Sequence, residues 1–157
     1  MDIEIDEVSD LDRYWLELAG LLKELHDYHA SLTGVVLVKD WEQRQKANLE
    51  AMSQSGEAIV LIARRSGAAV GLVTAHIAEN PAVVQERVGF LDNIYVKAEV
   101  RGKGICSRLL ERVEGWFRDR DVTVAQLGVA SANSHAKEIW EAKGYRPYLE
   151  RLRKPLA

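Results

Sequence analysis

The chain has 157 residues, of which 47% are hydrophobic and 29% charged, a composition typical of one soluble globular domain. Its formal net charge of -3 argues against a general nucleic-acid binder, which needs a basic face to replace the counterions of the phosphate backbone. The one cysteine, Cys106, excludes an intrachain disulfide and a cysteine-rich metal site, and it favours a reducing compartment, the cytoplasm.

Neither a targeting segment nor a membrane span is expected. The N-terminal residues 1–6 are acidic and have no apolar run, so they do not resemble a signal peptide. No stretch approaches the roughly 18 apolar residues that a membrane span needs. Repeats and linkers are absent, so residues 1–157 are expected to form a single domain. The four histidines are scattered, and no metal site is predicted.

The first third of the chain predicts a short strand and two helices. Residues 2–7 fit the strand, and Ser9 followed by Asp12 resembles a capping box that opens an amphipathic helix. A second, mostly polar helix is predicted at about 40–52. Between the helices lies an apolar run, residues 35–38, for which we expect either a place in a binding site or a role in homodimerisation.

The rest of the chain predicts strands interrupted by helices. Two strands joined by a turn form a hairpin, and a strand–helix–strand unit follows that should place its two strands parallel. The predicted order is β-α-α-β-β-β-α-β-α-β, a mixed α/β fold. The predicted segments are strands at 58–63, 70–77, 88–96 and 122–129, a helix at 103–118, and a last strand from Tyr145. A short helix before that strand is marked by Ala136, Ile139 and Trp140 and stops at Lys143-Gly144.

A glycine-containing segment, residues 101–106, lies between a predicted strand and a predicted helix and reads Arg-Gly-Lys-Gly-Ile-Cys. Its glycines allow the backbone to approach a ligand closely and to adopt positive φ. The free N–H groups and the positive dipole end of the next helix attract an anion, and Arg101 and Lys103 add charge. We therefore expect phosphate binding here. The alternative is an ordinary helix start with a solubilising basic pair.

Two common nucleotide-binding motifs do not fit this loop. The Gly-Lys-Ser/Thr ending and spacing of a P-loop are absent. A dinucleotide fingerprint needs a third glycine where Ser107 stands, and it needs an acidic residue after the next strand, which ends instead in residues 129–131, Val-Ala-Ser. A nucleotide-binding protein that uses this glycine loop would thus lack the second half of either motif.

The loop resembles the pyrophosphate motif of the GNAT acyltransferase superfamily, Gln/Arg-x-x-Gly-x-Gly/Ala, with Cys106 where Gly or Ala is usual. The strand before it, residues 91–96, resembles the family's acidic-x-x-Tyr-Val strand. Residues 133–145 resemble the later motif Asn-x-x-Ala-x-x-Leu-Tyr-Glu-Lys-x-Gly-Phe/Tyr. The resemblance covers about residues 57–147, whereas residues 1–55 match only in their two-helix pattern.

The resemblance implies a three-layer fold in which helices flank a mixed sheet that splays between two central parallel strands, with acyl-CoA in the gap. Backbone N–H groups of residues 102–107 would hold the pyrophosphate, and free main-chain groups on the strand before the loop would pair with the pantetheine arm. The residues implied in cofactor binding are Ile94, Val96, Arg101, Gly102, Lys103, Gly104, Ile105, Cys106, Ser107, Asn133 and Trp140.

The implied activity is transfer of an acetyl group from acetyl-CoA to a primary amine of a small molecule or a protein, by direct attack in a ternary complex and without a metal. A free amine of the lysine type has a pKa of about 10.4, so something must accept its proton. Asp92 is the candidate base, directly or through water, because a carboxylate is costly to bury in an apolar strand. The alternative is a structural role.

The general acid of this chain must differ from the family's usual one, because Trp140 stands where the family commonly has a Tyr, and an indole N–H is not a practical acid. Tyr145 is the candidate in its place, with Tyr95, Ser131 and solvent as alternatives. The missing Tyr leaves open a second function, a non-catalytic acyl-CoA-binding sensor.

Three histidines are candidates for binding the acceptor. His26 and His29 end the first helix near the place where acceptor pockets of the family form, although a histidine there is also favourable as a solvated charge. His76 lies on a strand that could face the acceptor cleft. Cys106 is interpreted as structural because the loop is far from the acyl carbon, although its helix N-terminus could lower its pKa.

Overall fold

The computed structural model describes residues 2–84 and 87–157. Its elements in chain order are β1 (Ile3–Glu7), α1 (Leu11–Thr33), α2 (Trp41–Gln54), β2 (Ala58–Arg65), β3 (Ala68–Glu79), β4 (Arg87–Val96), a 3-10 turn (Ala98–Val100), α3 (Ile105–Arg118), β5 (Ala125–Leu127) and α4 (Ser134–Ala142). The strands of this described part form one sheet in the order β1-β2-β3-β4-β5, in which only β4 and β5 are parallel.

The first helix, α1, has a different N-cap from the one expected. Asp10, not Ser9, caps it, because the Asp10 carboxylate accepts the N–H of Arg13 at 3.2 Å. At its other end Gly34 adopts a φ of 72° and donates its N–H to Ala30 O at 2.9 Å, which ends the helix in a left-handed turn.

Two hydrophobic cores lie on opposite faces of the sheet. Because side chains alternate along a strand, even-numbered residues of β3 from Leu72 onward face α1 and α2, whereas odd-numbered ones such as Val73 face α3. A register shift with β2 precedes this part of β3, so that Val70 also lies in the core on the α3 side. The first core includes Leu11, Leu18, Leu22, Leu49, Val60, Ile62 and Leu72. The second includes Leu61, Val73, Ile77, Ile105, Leu109, Val113, Phe117 and Trp140.

The expected parallel unit is present, with α3 connecting β4 to β5. However, β5 is shorter than the predicted strand at 122–129. It pairs with β4 only over Gly89–Leu91, and beyond these residues the two strands separate. The sheet is therefore open on this side of β4 beyond Leu91.

The last expected strand does not form, and the observed order ends with α4. Residues 145–157 contain no helix or strand. The three residues of β5 offer too short an edge to pair with, and Pro147 has no N–H to donate. The large apolar side chains left exposed here are Tyr148, Leu149, Leu152 and Leu156.

Candidate acetyl-transfer site

β4 carries a β-bulge at Asp92. Thr74 of β3 pairs with Asn93, whereas the next residue, Ala75, pairs with Leu91, so Asp92 is an extra residue in the register. A bulge sets two residues of one strand opposite one residue of its neighbour. As a consequence Asp92 and Asn93 both reach side chains on the α1–α2 face of β3.

Two hydrogen-bonded pairs join the strands at this bulge. His76 Nδ1 and Asp92 Oδ2 lie 2.6 Å apart, and Asn93 Nδ2 donates to Thr74 Oγ1 at 2.8 Å. The ring of His76 also stacks on Phe90, with centroids 5.2 Å apart and an angle of 13° between the planes. His76, predicted to bind the acceptor, and Asp92, predicted as the base, are therefore in direct contact.

The electrostatics of this pair reflect its half-buried position. Burial raises the pKa of Asp92, and the hydrogen bond and charge of His76 act in the opposite direction. Both side chains are 31% exposed, so the pair is open to solvent on one side. The geometry permits a proton to be passed between a bound molecule and the pair.

Beyond the bulge, the second edge of β4 is free. Lys97 donates its N–H to Val70 O at 2.9 Å, and in an antiparallel pair the bonded and non-bonded positions alternate. Ile94 and Val96 therefore turn their main-chain groups away from β3, toward the gap left where β5 separates. This gap is the splay that the family resemblance implies.

The open edge leads into the glycine loop. Gly102 and Gly104 have φ values of 76° and 80°, which disfavour any other residue. Gly104 is the N-cap of α3 and supplies no capping side chain. The first N–H of this helix to find an acceptor is that of Arg108, which donates to Gly104 O at 3.1 Å. Within the described chain, the N–H groups of residues 102–107 thus have no acceptor, an arrangement that can hold an anion.

The predicted basic and apolar residues of the loop have different positions. Arg101 Nε donates to Val96 O at 2.8 Å, and its guanidinium lies 5.5 Å from the ring centroid of Tyr95, so this side chain is held against the end of β4. Lys103 is exposed, whereas Ile105 is buried in the core and offers only its backbone. A ligand that binds the carbonyl of Val96 would share this acceptor with Arg101.

Lys143, at the end of α4, is a residue that the sequence reasoning missed. Its Nζ donates to Ser107 Oγ at 2.5 Å, which brings a positive charge to the first turn of α3. Burial raises the pKa of Cys106 and outweighs the lowering by Lys143, so the expectation of a lowered thiol pKa is wrong. The only signal in the sequence was a basic residue just before the helix-ending Gly144, which is a common position at helix C-termini.

Tyr145, the candidate general acid, contacts α3. Its hydroxyl donates to Glu114 Oε1 on α3 at 3.0 Å, on the opposite face of the sheet from the His76–Asp92 pair. Burial first, and then the charge and hydrogen bond of Glu114, raise its pKa. Its ring packs edge-on against Trp140, a core residue, at 5.5 Å. Both aromatic residues thus pack α4 against α3, while the acid role of Tyr145 and the cofactor contact of Trp140 stay predictions.

The sequence model of the Acetyltransferase (GNAT) family matches residues 19–145. The chain belongs to this family. It is similar to an uncharacterized N-acetyltransferase of Archaeoglobus fulgidus, with 29% identity over 87 residues. The match covers 55% of this chain and 59% of that relative, so the chain spans less than two thirds of the relative's length.

Solved structures of GNAT proteins share the whole fold. A predicted acetyltransferase from Clostridium acetobutylicum, determined with acetyl-CoA, has a TM-score of 0.80 at 16% identity, and the alignment covers 99% of this chain and 97% of that one. The aminoglycoside N-acetyltransferase AAC(6')-Iy in complex with CoA has a TM-score of 0.78 at 19% identity, covering 98% and 94%. At these identities the likeness concerns the fold.

The remaining GNAT motif residue, Asn133, serves as the N-cap of α4. Its side-chain oxygen accepts the N–H of Ala136 at 3.1 Å. This contact fixes the start of α4, and a contact of Asn133 with the pantetheine arm stays a prediction.

The two histidines of α1, His26 and His29, differ in their surroundings. His26 packs edge-on against Trp41 of α2, with centroids 5.4 Å apart. Burial and the charge of His29 lower the pKa of His26, while Gln45 raises it by a smaller amount. Its Nε2 is buried and has no hydrogen-bond partner among the described residues, and His29 is exposed. Their role in acceptor binding stays a prediction.

Among residues 2–84 and 87–157, no cluster of three or more His, Cys, Asp or Glu side chains could hold a metal ion. No helix in the same residues is long and apolar enough to cross a membrane.

Proposed function

We propose that this GNAT protein transfers an acetyl group from acetyl-CoA to a primary amine of a small molecule or a protein, by direct attack in a ternary complex. The observation that carries the proposal is the free edge of β4, which leads through the 3-10 turn Ala98–Val100 to a loop whose N–H groups have no acceptor among the described residues. A ligand with an amide-containing arm and a diphosphate matches both parts.

The donor would lie along this edge. Its pantetheine amides would pair with the main chain of Ile94 and Val96, as an added strand does. Its diphosphate would accept the N–H groups of residues 102–107 at the positive end of α3. The Clostridium and aminoglycoside acetyltransferase structures, which hold acetyl-CoA and CoA, support this choice of donor.

The bulge would be the reacting end. A pantetheine arm that extends from the loop along Val96 and Ile94 would reach Asp92. The gap ends next to this residue, at Leu91, where β4 and β5 are paired. The thioester would therefore stop near the His76–Asp92 pair. A carboxylate at this point also favours an acceptor with a positive charge.

Direct attack is favoured over an acetyl-enzyme intermediate because the one thiol of the chain lies far from the expected position of the thioester. Cys106 lies in the phosphate loop, at the opposite end of the donor from the thioester, and burial raises its pKa. A thiol that stays protonated is a poor nucleophile. In the proposed reaction the amine nitrogen attacks the carbonyl carbon, and the sulfur leaves as the C–S bond breaks.

Calorimetric titration of the protein with acetyl-CoA tests the donor site. We expect a dissociation constant on the order of micromolar, and no detectable binding by Gly104→Glu, whose carboxylate would occupy and repel the diphosphate. Gly20→Glu is the matched control, because Gly20 lies on α1 with open space around it. Absence of binding by the wild-type protein would overturn the proposal.

A panel of primary amines, assayed by the release of free CoA thiol, tests the reaction. We expect turnover with at least one cationic amine, and the mass of the product should rise by one acetyl group. If the wild-type protein binds acetyl-CoA tightly but acetylates no amine or protein of a broad panel, it is a binding module and not an enzyme. The homodimer expected from the exposed Val35, Val36 and Val38 remains a separate prediction.

A further inference from the structure

We propose that His76, rather than Asp92, accepts the proton of the attacking amine, and that Asp92 acts through His76 as a positioning residue. The inference rests on the proposed function, because it assigns roles at the same site. It changes the expectation from the sequence, in which the carboxylate was the base and the histidine a contact for the acceptor.

The ring of His76 is fixed from two sides. Asp92 Oδ2 lies 2.6 Å from Nδ1, and Phe90 stacks on one face of the ring at 5.2 Å. Both neighbours belong to β4, which is hydrogen-bonded to the strand that carries His76. The hydrogen bond and the stack together define the direction in which the second nitrogen, Nε2, points.

The contact with Asp92 also determines which nitrogen is basic. An ionised carboxylate can only accept hydrogen bonds, so the hydrogen of a neutral ring must lie on Nδ1. Nε2 then carries the lone pair, and the described residues make no hydrogen bond to it. A base oriented by a third group in this way is a recurring arrangement in enzymes, and the carboxylate in addition stabilises the imidazolium that forms.

The position of the pair along β4 suits this role. His76 and Asp92 lie at the bulge, next to the point at which β4 and β5 separate. A thioester held at the end of the free edge would be adjacent to them. The neighbouring polar side chains on the same two strands, Asn93 and Thr74, are hydrogen-bonded to each other. The His76–Asp92 pair is thus the titratable pair beside the reacting end.

The proton balance closes without a further reagent. The acceptor reaches the site as R–NH3⁺ and loses one proton to solvent to become a neutral amine. As the N–C bond forms, the nitrogen gives a second proton to Nε2 of His76. The C–S bond then breaks, and the imidazolium returns this proton to the leaving thiolate, giving CoA thiol and the acetylated amine with a neutral ring.

The test compares kinetics of His76→Gln, Asp92→Asn and the double variant, using an amine that the wild-type protein acetylates. We expect His76→Gln to lower kcat by about 100-fold, in the range for loss of a general base, with the acetyl-CoA dissociation constant changed less than about threefold. Asp92→Asn should lower kcat by at least about tenfold, because an amide can also donate to Nδ1 and then leaves the ring in the wrong tautomer.

The double variant tests whether Asp92 acts through His76. If it does, Asp92→Asn has little further effect once His76 is Gln, so the two losses do not multiply. Added imidazole should restore part of the activity of His76→Ala and none of that of Asp92→Asn. Retained acetyl-CoA binding shows that each variant is folded. Thr74→Val, which breaks the neighbouring cross-strand bond, is the control and should keep kcat within about threefold of wild type.

Three results would overturn the inference while leaving the proposed function intact. The first is full activity of His76→Gln in a protein whose wild-type form is active. The second is a double variant whose loss equals the product of the two single losses. The third is a fall in kcat for Asp92→Asn that exceeds the fall for His76→Gln. A wild-type protein that neither binds nor uses acetyl-CoA would instead overturn the proposed function itself.

Discussion

Gly89 of β4 lies in contact with the ring of Phe117 of α3, so close that a Cβ on Gly89 would stand 2.5 Å from Cζ of that ring. The N–H of the same glycine donates to Val124 O at 2.9 Å, at the start of the parallel pairing with β5. The absence of a side chain at this position therefore lets α3 lie directly on the strand that carries the candidate site.

Gly89→Ala should destabilise the fold for this reason. We expect the free energy of unfolding, measured by urea denaturation, to fall by about 1–3 kcal/mol, the usual effect of overpacking. Gly115→Ala is the matched control, because Gly115 lies on α3 with no atom within 4 Å of an added Cβ. It should raise the stability by about 0.5–1 kcal/mol through helix propensity. Equal stability of Gly89→Ala and the wild type would contradict this packing.

An ion pair between α1 and β2 predicts a pH dependence of stability. Arg64 Nη2 donates to Glu17 Oε1 at 2.8 Å, and Arg64 lowers the pKa of Glu17 below 4.5, mainly through hydrogen bonding. A carboxyl whose pKa is lower in the folded state stabilises the protein above its unfolded pKa, and this contribution is lost as the pH falls through the folded pKa.

Glu17→Gln should therefore lower the melting temperature at pH 7 by a small amount, since Glu17 is partly exposed, and the difference from wild type should disappear as the pH falls below 4.5. In an Arg64→Met background the same substitution should have no effect at pH 7. A difference that grows toward low pH would show that the pair does not act as described.

Tyr145→Phe decides between the two roles considered for this residue. Because its hydroxyl bonds Glu114 and lies on the opposite face from Asp92, we expect kcat within about twofold of wild type. The free energy of unfolding should fall by about 0.5–2 kcal/mol through loss of the hydrogen bond. A tenfold or larger fall in kcat with normal stability would restore Tyr145 as the acid.

Lys143→Met tests the charge that α4 brings to the phosphate loop. We expect CoA to bind about three- to tenfold more weakly, with a greater loss at low salt, because the Nζ group lies on the first turn of α3. Lys137→Met, on the same helix, is the control, since Lys137 binds the carbonyl of Ser131 instead. Equal CoA affinity of the two variants would exclude a part for Lys143 in binding.

Most of the fold could be predicted from local patterns. The periodicity of α1, the apolar run of β2 and the β4–α3–β5 unit each depend on residues close together in the sequence, and all are observed. The prediction of a strand from Tyr145 was wrong. A strand needs a partner strand, and the length of the β5 edge cannot be read from the residues that follow Tyr145.

The site was only partly predictable. The loop at Gly102 and Gly104 can be recognised in the sequence from residue type and spacing. The contact between His76 and Asp92 cannot be recognised in this way, because it depends on a register shift. A strand with one extra residue has the same apolar character as a regular strand. Lys143 and Ser107 are 36 positions apart, so that only the packing of α4 beside α3 reveals their contact.

The bulge at Asp92 also sets the direction of every peptide group that follows it. Gly89 turns its N–H toward β5, and an uninterrupted strand would repeat that direction at odd-numbered positions. The extra residue moves it to Ile94 and Val96. Deleting position 92 would therefore remove an acid and at the same time turn the peptides of Ile94 and Val96 back toward β3. Under the proposed function, both the proton transfer and the binding of the donor would depend on this one inserted residue, which a point substitution can neither create nor remove.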